Sequence, residues 1–294
     1  MTSTAEEPTT TSSPPEVPGA ARPASPMLRR RVLAAELKAM RRAAGLTHVE
    51  VARRLGWQQG KVSKIESAKQ GVGIDAVIAL AETCNAEPEH RERLVGLARD
   101  ARARGWWESY ADVLPPARRT YVGLEADADV IRGFAAEVVP DLFQTRDYAS
   151  SAAGWAEQEP GSGFERRLEL LLRRQEQLLE RHPAEFDIVL SESALRRAAG
   201  APEQLRHLVD LAQRPDVTIR VLPFSVGAVP VESSFSLLEF RRNPHPDLVF
   251  VSGRTDCAYF EDEADVASYR ETLVRLEEMA MSPYDSVEFI EEVL

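Results

Sequence analysis

The sequence predicts a mainly α chain that turns α+β in its second part: a five-helix N-terminal module, then an α+β domain with a small sheet. Three observations predict it. From residue 28 to 104, apolar residues recur at helical spacing with almost no β signal. After residue 182, short β-rich runs alternate with helical ones. Charge divides the chain as well. The window 28–71 holds eleven Lys and Arg against three acids, a net +8, within 294 residues whose net charge is −11. The remainder therefore carries −19. A basic island in an acidic chain marks a nucleic-acid module joined to something else.

Residues 1–27 are rich in Ser, Thr, Pro and Ala and have no apolar periodicity, which predicts a disordered tail. Residues 28–104 form the predicted DNA-binding unit. Leu33, Leu37, Met40 and Ala44 fall on one helical face, and Gly45 ends that helix. Thr47 followed by Glu50 is a capping-box pattern that opens a second helix burying Val51 and Leu55 and closing near Gly56. A third helix begins around Gln58 and turns Val62 and Ile65 inward. Two more are expected, Asp75 to Cys84 and Pro88 to Arg104.

Residues 105–121 read as a connector. Trp106, Trp107, Tyr110 and Tyr121 surround Pro115 and Pro116, a composition that packs on a neighbour rather than floating free. These aromatics either pack the fifth helix on the second domain or line a pocket. Residues 122–294 form the regulatory α+β domain. Helices are expected at about 123–136, 144–154, 163–181, 192–213, 263–281 and 285–293. Strands are expected at FDIVL (186–190), VTIRVLPF (217–224), SFSLLEF (234–240) and LVFVS (248–252). In VTIRV, Val217, Ile219 and Val221 share one face. The loop LPFSVGAVP, shaped around Gly227, is a candidate ligand or partner contact.

Several classes are disfavoured. No apolar run approaches the roughly 20 residues of a membrane helix, and the N-terminus lacks the apolar stretch of a secretory signal. Cys84 and Cys257 are too few and too far apart for a disulfide framework or a zinc site, so a cytoplasmic protein is expected. His48, His90, His182, His207 and His245 show no metal-ligand spacing. Neither a nucleophile elbow nor a phosphate-cradling glycine loop is present. The acidic run Glu261, Asp262, Glu263 and Asp265 opens a helix, where the dipole favours it. The expectation is a non-enzyme without cofactor or metal.

The segment LTHVEVARRLGWQQGKVSKIES resembles the helix-turn-helix of the XRE family, the Cro/CI-repressor type. The resemblance implies that Gln58 to Glu66 is the recognition helix, whose N-terminal end enters the major groove of double-stranded DNA. Gln59 and Lys61 are the first-choice base readers, Gln suiting adenine and Lys guanine. Lys64 lies on the same exposed face, Gly60 permits close approach, Ser63 meets a phosphate or solvent, and Gln58 is a weak cap. Thr47 and His48 fall at the family's phosphate clamp, with a solvated surface histidine as the alternative for His48. Lys69 is a candidate backbone contact, and Arg29, Arg30 and Arg31 are either a phosphate arm or a solvated charge run. Arg41 and Glu66 match an internal ion pair that ties the first helix to the third, and Trp57 reads as a packing residue.

The segments YVGLEADADVIRGFAAEVVPDLFQTRDYA, FDIVLSESALRRAAG, VTIRVLPFSVGAVPVESSFSLLEF and LVFVSGRTDCAYFEDEADVASYRETLVRLEEMAMSP resemble a domain of unknown function that follows the XRE module in actinobacterial regulators. That likeness implies an antitoxin-like transcriptional regulator paired with a small protein from an adjacent gene. One recognition helix reads only a few base pairs, so a homodimer on a two-fold site is expected. The alternatives are a small-molecule-sensing transcription factor and an enzyme fused to a DNA-binding module.

Overall fold

A computed structural model describes residues 24–154, 162–231, 233–242, 245–253 and 257–294; the side chains of residues 59, 153, 154 and 162 lie outside it. The chain is mainly helical at first and α+β afterwards. Five helices open it: α1 (Pro26–Ala43), α2 (His48–Leu55), α3 (Gln59–Glu66), α4 (Ile74–Thr83) and α5 (Pro88–Asp100). Their shared core holds Leu33, Leu37, Met40, Val51, Val62, Ile65, Val77, Leu80 and Leu94.

Helix α1 starts at Pro26, where Ser25 caps it by accepting the Leu28 N–H. It therefore begins inside the stretch expected to be a tail; residues 1–23 lie outside the described residues. The helix belongs to two cores. Leu33, Leu37 and Met40 sit in the N-terminal core, whereas Leu28 and Val32 are buried with the sheet of the second domain. Arg29 is paired with Asp100, and Arg31 with Glu261. Those two arginines are thus neither a free phosphate arm nor a solvated run.

The expected connector is structured. Residues 106–110 form a 3₁₀ turn, and α6 (Pro116–Glu125) begins within it. Trp107, Tyr110 and Leu114 pack with Val122, Ala126 and Leu170 in a small core of their own.

The remaining strands and α-helices among the described residues are β1 (Val130–Ala135), α7 (Arg146–Gly154), α8 (Ser162–Gln175), β2 (Glu185–Ser191), α9 (Glu192–Ala198), α10 (Pro202–Ala212), β3 (Val217–Leu222), β4 (Phe235–Glu239), β5 (Leu248–Ser252), β6 (Cys257–Phe260), α11 (Glu263–Met279) and α12 (Pro283–Val293). The six strands form one sheet in the order β3-β2-β1-β4-β5-β6. β1, β2 and β3 run parallel, and β4, β5 and β6 continue antiparallel from β1. One face packs Phe134, Val189, Leu237 and Val249 on Val266, Leu273 and Leu276 of α11. The other buries Ile131, Ile188, Val221 and Phe250 with Leu205, Leu208 and Ile290 from α10 and α12.

Three expectations are corrected. The stretch 123–136, read as helix, contains β1. As a central strand it is buried on both faces, so it shows no alternation, and a short apolar run of that kind cannot be told from a helix by period. The helix expected at 192–213 is two helices, because Pro202 cannot continue α9 and instead opens α10. Strand β6 is an added edge whose four residues are too short a run to signal a strand.

Candidate nucleic-acid interface

The helix-turn-helix is built by local chemistry. The Thr47 hydroxyl accepts the Glu50 N–H at 3.2 Å, and the Glu50 carboxylate accepts the Thr47 N–H at 2.8 Å. That reciprocal cap fixes the start of α2. The same bonds hold the Glu50 carboxyl below its usual range. Gly56 ends α2 with φ +64°, a left-handed turn that a side chain would strain. The chain then re-enters helix at α3, with Val62 and Ile65 buried against the other helices.

Arg41 on α1 is bidentate to Glu66 at the end of α3. Its Nε donates to Oε1 at 2.7 Å, and Nη2 donates to Oε2 at 2.8 Å. Nη1 of the same guanidinium donates to the Leu46 carbonyl at 2.7 Å, so it also ties down the turn before α2. Burial works against the Glu66 charge, but hydrogen bonds from Arg41 and His48 hold its carboxyl below the usual range. The Glu66 bond in turn raises the Arg41 guanidinium. This pair sets where α3 lies against α1.

His48 is a correction to the sequence reading. Its Nε2 lies 2.9 Å from Glu66 Oε2 and 3.0 Å from Arg41 Nη2. A proton on Nε2 serves the carboxylate. The imidazole is therefore neither aimed at a phosphate nor simply solvated; it is the third member of the Arg41–Glu66 cluster. What α2 offers an anion is backbone: the first N–H groups of a helix have no partner within it. The Thr47 hydroxyl itself is engaged with Glu50.

Helix α3 exposes Gln58, Gly60, Ser63 and Lys64, with Lys69 exposed beyond its end. Gln58 occupies the N-cap position without a side-chain cap bond. Gln59 opens the helix, and its side chain lies outside the described residues. A Cβ added at Gly60 would meet nothing within 4 Å, so that position faces open space rather than packing. Ser63 and Lys64 lie one turn on, on the same outer face.

Lys61 is half-buried, and its Nζ rests 3.9 Å from the centre of the Trp57 ring. Trp57 itself packs on the helical core. A cation on an aromatic face at a partly exposed site is held by about 0.5–1 kcal/mol, little enough for a guanine or phosphate to displace it. Arg53 and Arg54 on α2 are also exposed and extend the positive surface.

A helix-turn-helix domain family matches residues 32–94, and a family described as a domain of unknown function, DUF5753, matches residues 118–292. The second match spans more than half of the chain. The chain belongs to the DUF5753 family. In this member of DUF5753 the helix-turn-helix of α2 and α3 precedes the family domain, and the helix-turn-helix match identifies a DNA-binding regulator. No curated protein and no solved structure matches the chain. Among the described residues no helix is long and apolar enough to cross a membrane, and no three His, Cys, Asp or Glu side chains are grouped to hold a metal ion.

Sequence reasoning missed the clamps between the two halves of this DUF5753 chain. The Ser25 N–H donates to Asp127 at 2.9 Å, and the Ser25 hydroxyl donates to the Gly123 carbonyl at 3.2 Å. A single Ser or Asp carries no local signal for a partner about a hundred residues away.

Proposed function

We propose that the protein is a sequence-specific transcriptional regulator of the XRE type, antitoxin-like and cytoplasmic, that binds double-stranded DNA as a homodimer. Its C-terminal domain adjusts that binding through self-association or a small protein partner encoded nearby, without catalysing a reaction. The observation that carries the reading is the outer face of α3. Gly60, Ser63 and Lys64 lie on it, exposed and unobstructed, on a helix pinned by a buried ion pair. A short helix held this way, with its N-terminal end open and positive charge around it, fits a major groove. In this reading Gln59 and Lys61 read bases, Gln58, Ser63, Lys64 and Lys69 meet the adjacent backbone, and the N-terminus of α2 around Thr47 and His48 receives a phosphate.

The acidic remainder of the molecule repels DNA and confines contact to this island. Selection from a random duplex library with the full-length protein tests the reading. Enrichment of a site with two related halves about one helical turn apart, roughly 34–36 Å, supports a dimer on DNA. Failure to enrich any sequence contradicts it.

A further inference from the structure

The second domain holds a half-open cleft of about 770 Å³ between the sheet and the helices α6 and α8. Its volume falls within the range of roughly 300–1,000 Å³ seen for small-molecule sites.

Its floor is one cross-strand row. Ile188, Gly133, Ser236 and Phe250 are register neighbours on β2, β1, β4 and β5. The two middle positions carry the smallest side chains, and that hollows the sheet. The hollow is fixed by backbone, because a Cβ on Gly133 would run into the Phe235 carbonyl oxygen. The row also crosses the point where the parallel half of the sheet meets the antiparallel half, at β1.

The walls are apolar and aromatic. Tyr121 stacks on Phe250 with ring centres 4.1 Å apart, and Phe143, Phe164 and Leu168 add further apolar lining. One polar cluster faces this lining. Arg174 is bidentate to Glu125 through Nε and Nη2, both at 2.8 Å, while its Nη1 donates to Asp141 at 3.3 Å. Both members of the central pair are more than nine-tenths buried. Burial, with the Glu125 charge adding to it, pushes the Tyr121 phenol well above its ordinary value. Arg118, which is exposed and donates to the Ser252 hydroxyl at 2.9 Å, and Arg167 add two more cations. The hydroxyl that Arg118 meets is neutral and does not offset its charge.

We propose that this cavity binds a drug-sized small molecule with an apolar, ring-containing body and a single acidic group, the body on the Gly133–Ser236 floor and the acid toward Arg118. Flat rings suit the aromatic walls, where offset and edge-to-face packing is favourable. A single anion suits Arg118, which meets a neutral hydroxyl at the cleft. The inference goes beyond the DNA-binding reading and does not depend on it.

Two dyes with the same kind of body test it on the full-length protein: 1-anilinonaphthalene-8-sulfonate, which carries one acid, and N-phenyl-1-naphthylamine, which carries none. Both are expected to bind saturably at one site with blue-shifted emission. Ser236→Leu fills the floor and is expected to weaken both dyes at least tenfold. Val138→Trp narrows the lining at an exposed position that folding does not rely on, and is expected to do the same. Arg118→Ala is expected to weaken the sulfonate several-fold and leave the neutral dye unchanged. The proposal is overturned if neither dye saturates, or if both floor and wall variants, folded by circular dichroism, bind as the parent does. Equal behaviour of the two dyes toward Arg118→Ala overturns the acidic group.

Discussion

Glu66 shows how a single residue organises the DNA-facing surface. Its carboxylate accepts from Arg41 on α1 and lies beside His48 on α2, so three helices converge on one charge. Removing one partner of a buried ion pair leaves the other charge uncompensated, at about 3–5 kcal/mol. Glu66→Ala should therefore lower unfolding free energy by roughly 3 kcal/mol in urea titrations. The pair also makes a pH signature. Because folding lowers the Glu66 pKa, its contribution is complete above the ordinary carboxylate range and is lost as pH falls through the lowered folded value. Denaturation at falling pH should show this loss in the parent and not in Glu66→Gln; equal acid sensitivity would argue against it. Lys61→Ala should cost about 1–3 kcal/mol of discrimination at one base pair. A uniform loss on all sequences would show that Lys61 touches only phosphate.

Much of this residue scale was legible. The Thr47–Glu50 spacing declares a capping box, and the structure has both of its bonds. The place of His48 was not legible, because a surface-facing helical position carries no mark of an ion pair formed by residues 7 and 18 positions away.

At the scale of elements, α3 is short, and its value lies in what surrounds it. Gly60 is helical with open space around it, so Gly60→Ala should stabilise the protein by about 0.5 kcal/mol, through the freedom glycine loses on folding. Gly56 is the reverse case. Its left-handed φ of +64° makes Gly56→Ala destabilising by about 1 kcal/mol. Thermal unfolding of the two variants should move in opposite directions, and a shift of the same sign would remove the conformational argument. Strands β2, β3 and β5 were readable because each is a compact run rich in β-branched residues, and β4 because its apolar residues sit between Phe235 and Phe240. Strand β1 was not: VIRGFA is buried on both sides, contains a glycine, and follows a run of helix formers. Its identity is set by the neighbours that hydrogen-bond to it, which lie 50 to 110 residues away in the chain.

On the scale of the molecule, the two parts are joined by helix rather than by linker. α1 contributes Leu28 and Val32 to one core and Leu33, Leu37 and Met40 to the other. Leu28 is fully buried among second-domain residues, so Leu28→Ala should cost about 2–5 kcal/mol. It should also lower the stability of both parts together, in a single calorimetric transition; two separated transitions would show that α1 does not couple them. The charge split of the sequence leaves exposed positive residues on α2 and α3, ahead of an acidic remainder. That split was the earliest functional signal, whereas the joint through α1 was hidden, because one amphipathic helix does not announce that its two halves serve different cores.

Gly60→Glu tests the central claim, that the outer face of α3 meets DNA, most directly. The position has room for the side chain, and an acid near a helix N-terminus does not disturb the fold. The parent and the variant are compared on the selected duplex at low ionic strength, alongside their thermal midpoints. The account predicts a loss of DNA affinity of at least a hundredfold with a midpoint unchanged or raised. An acid placed on that face that leaves DNA affinity intact would contradict it.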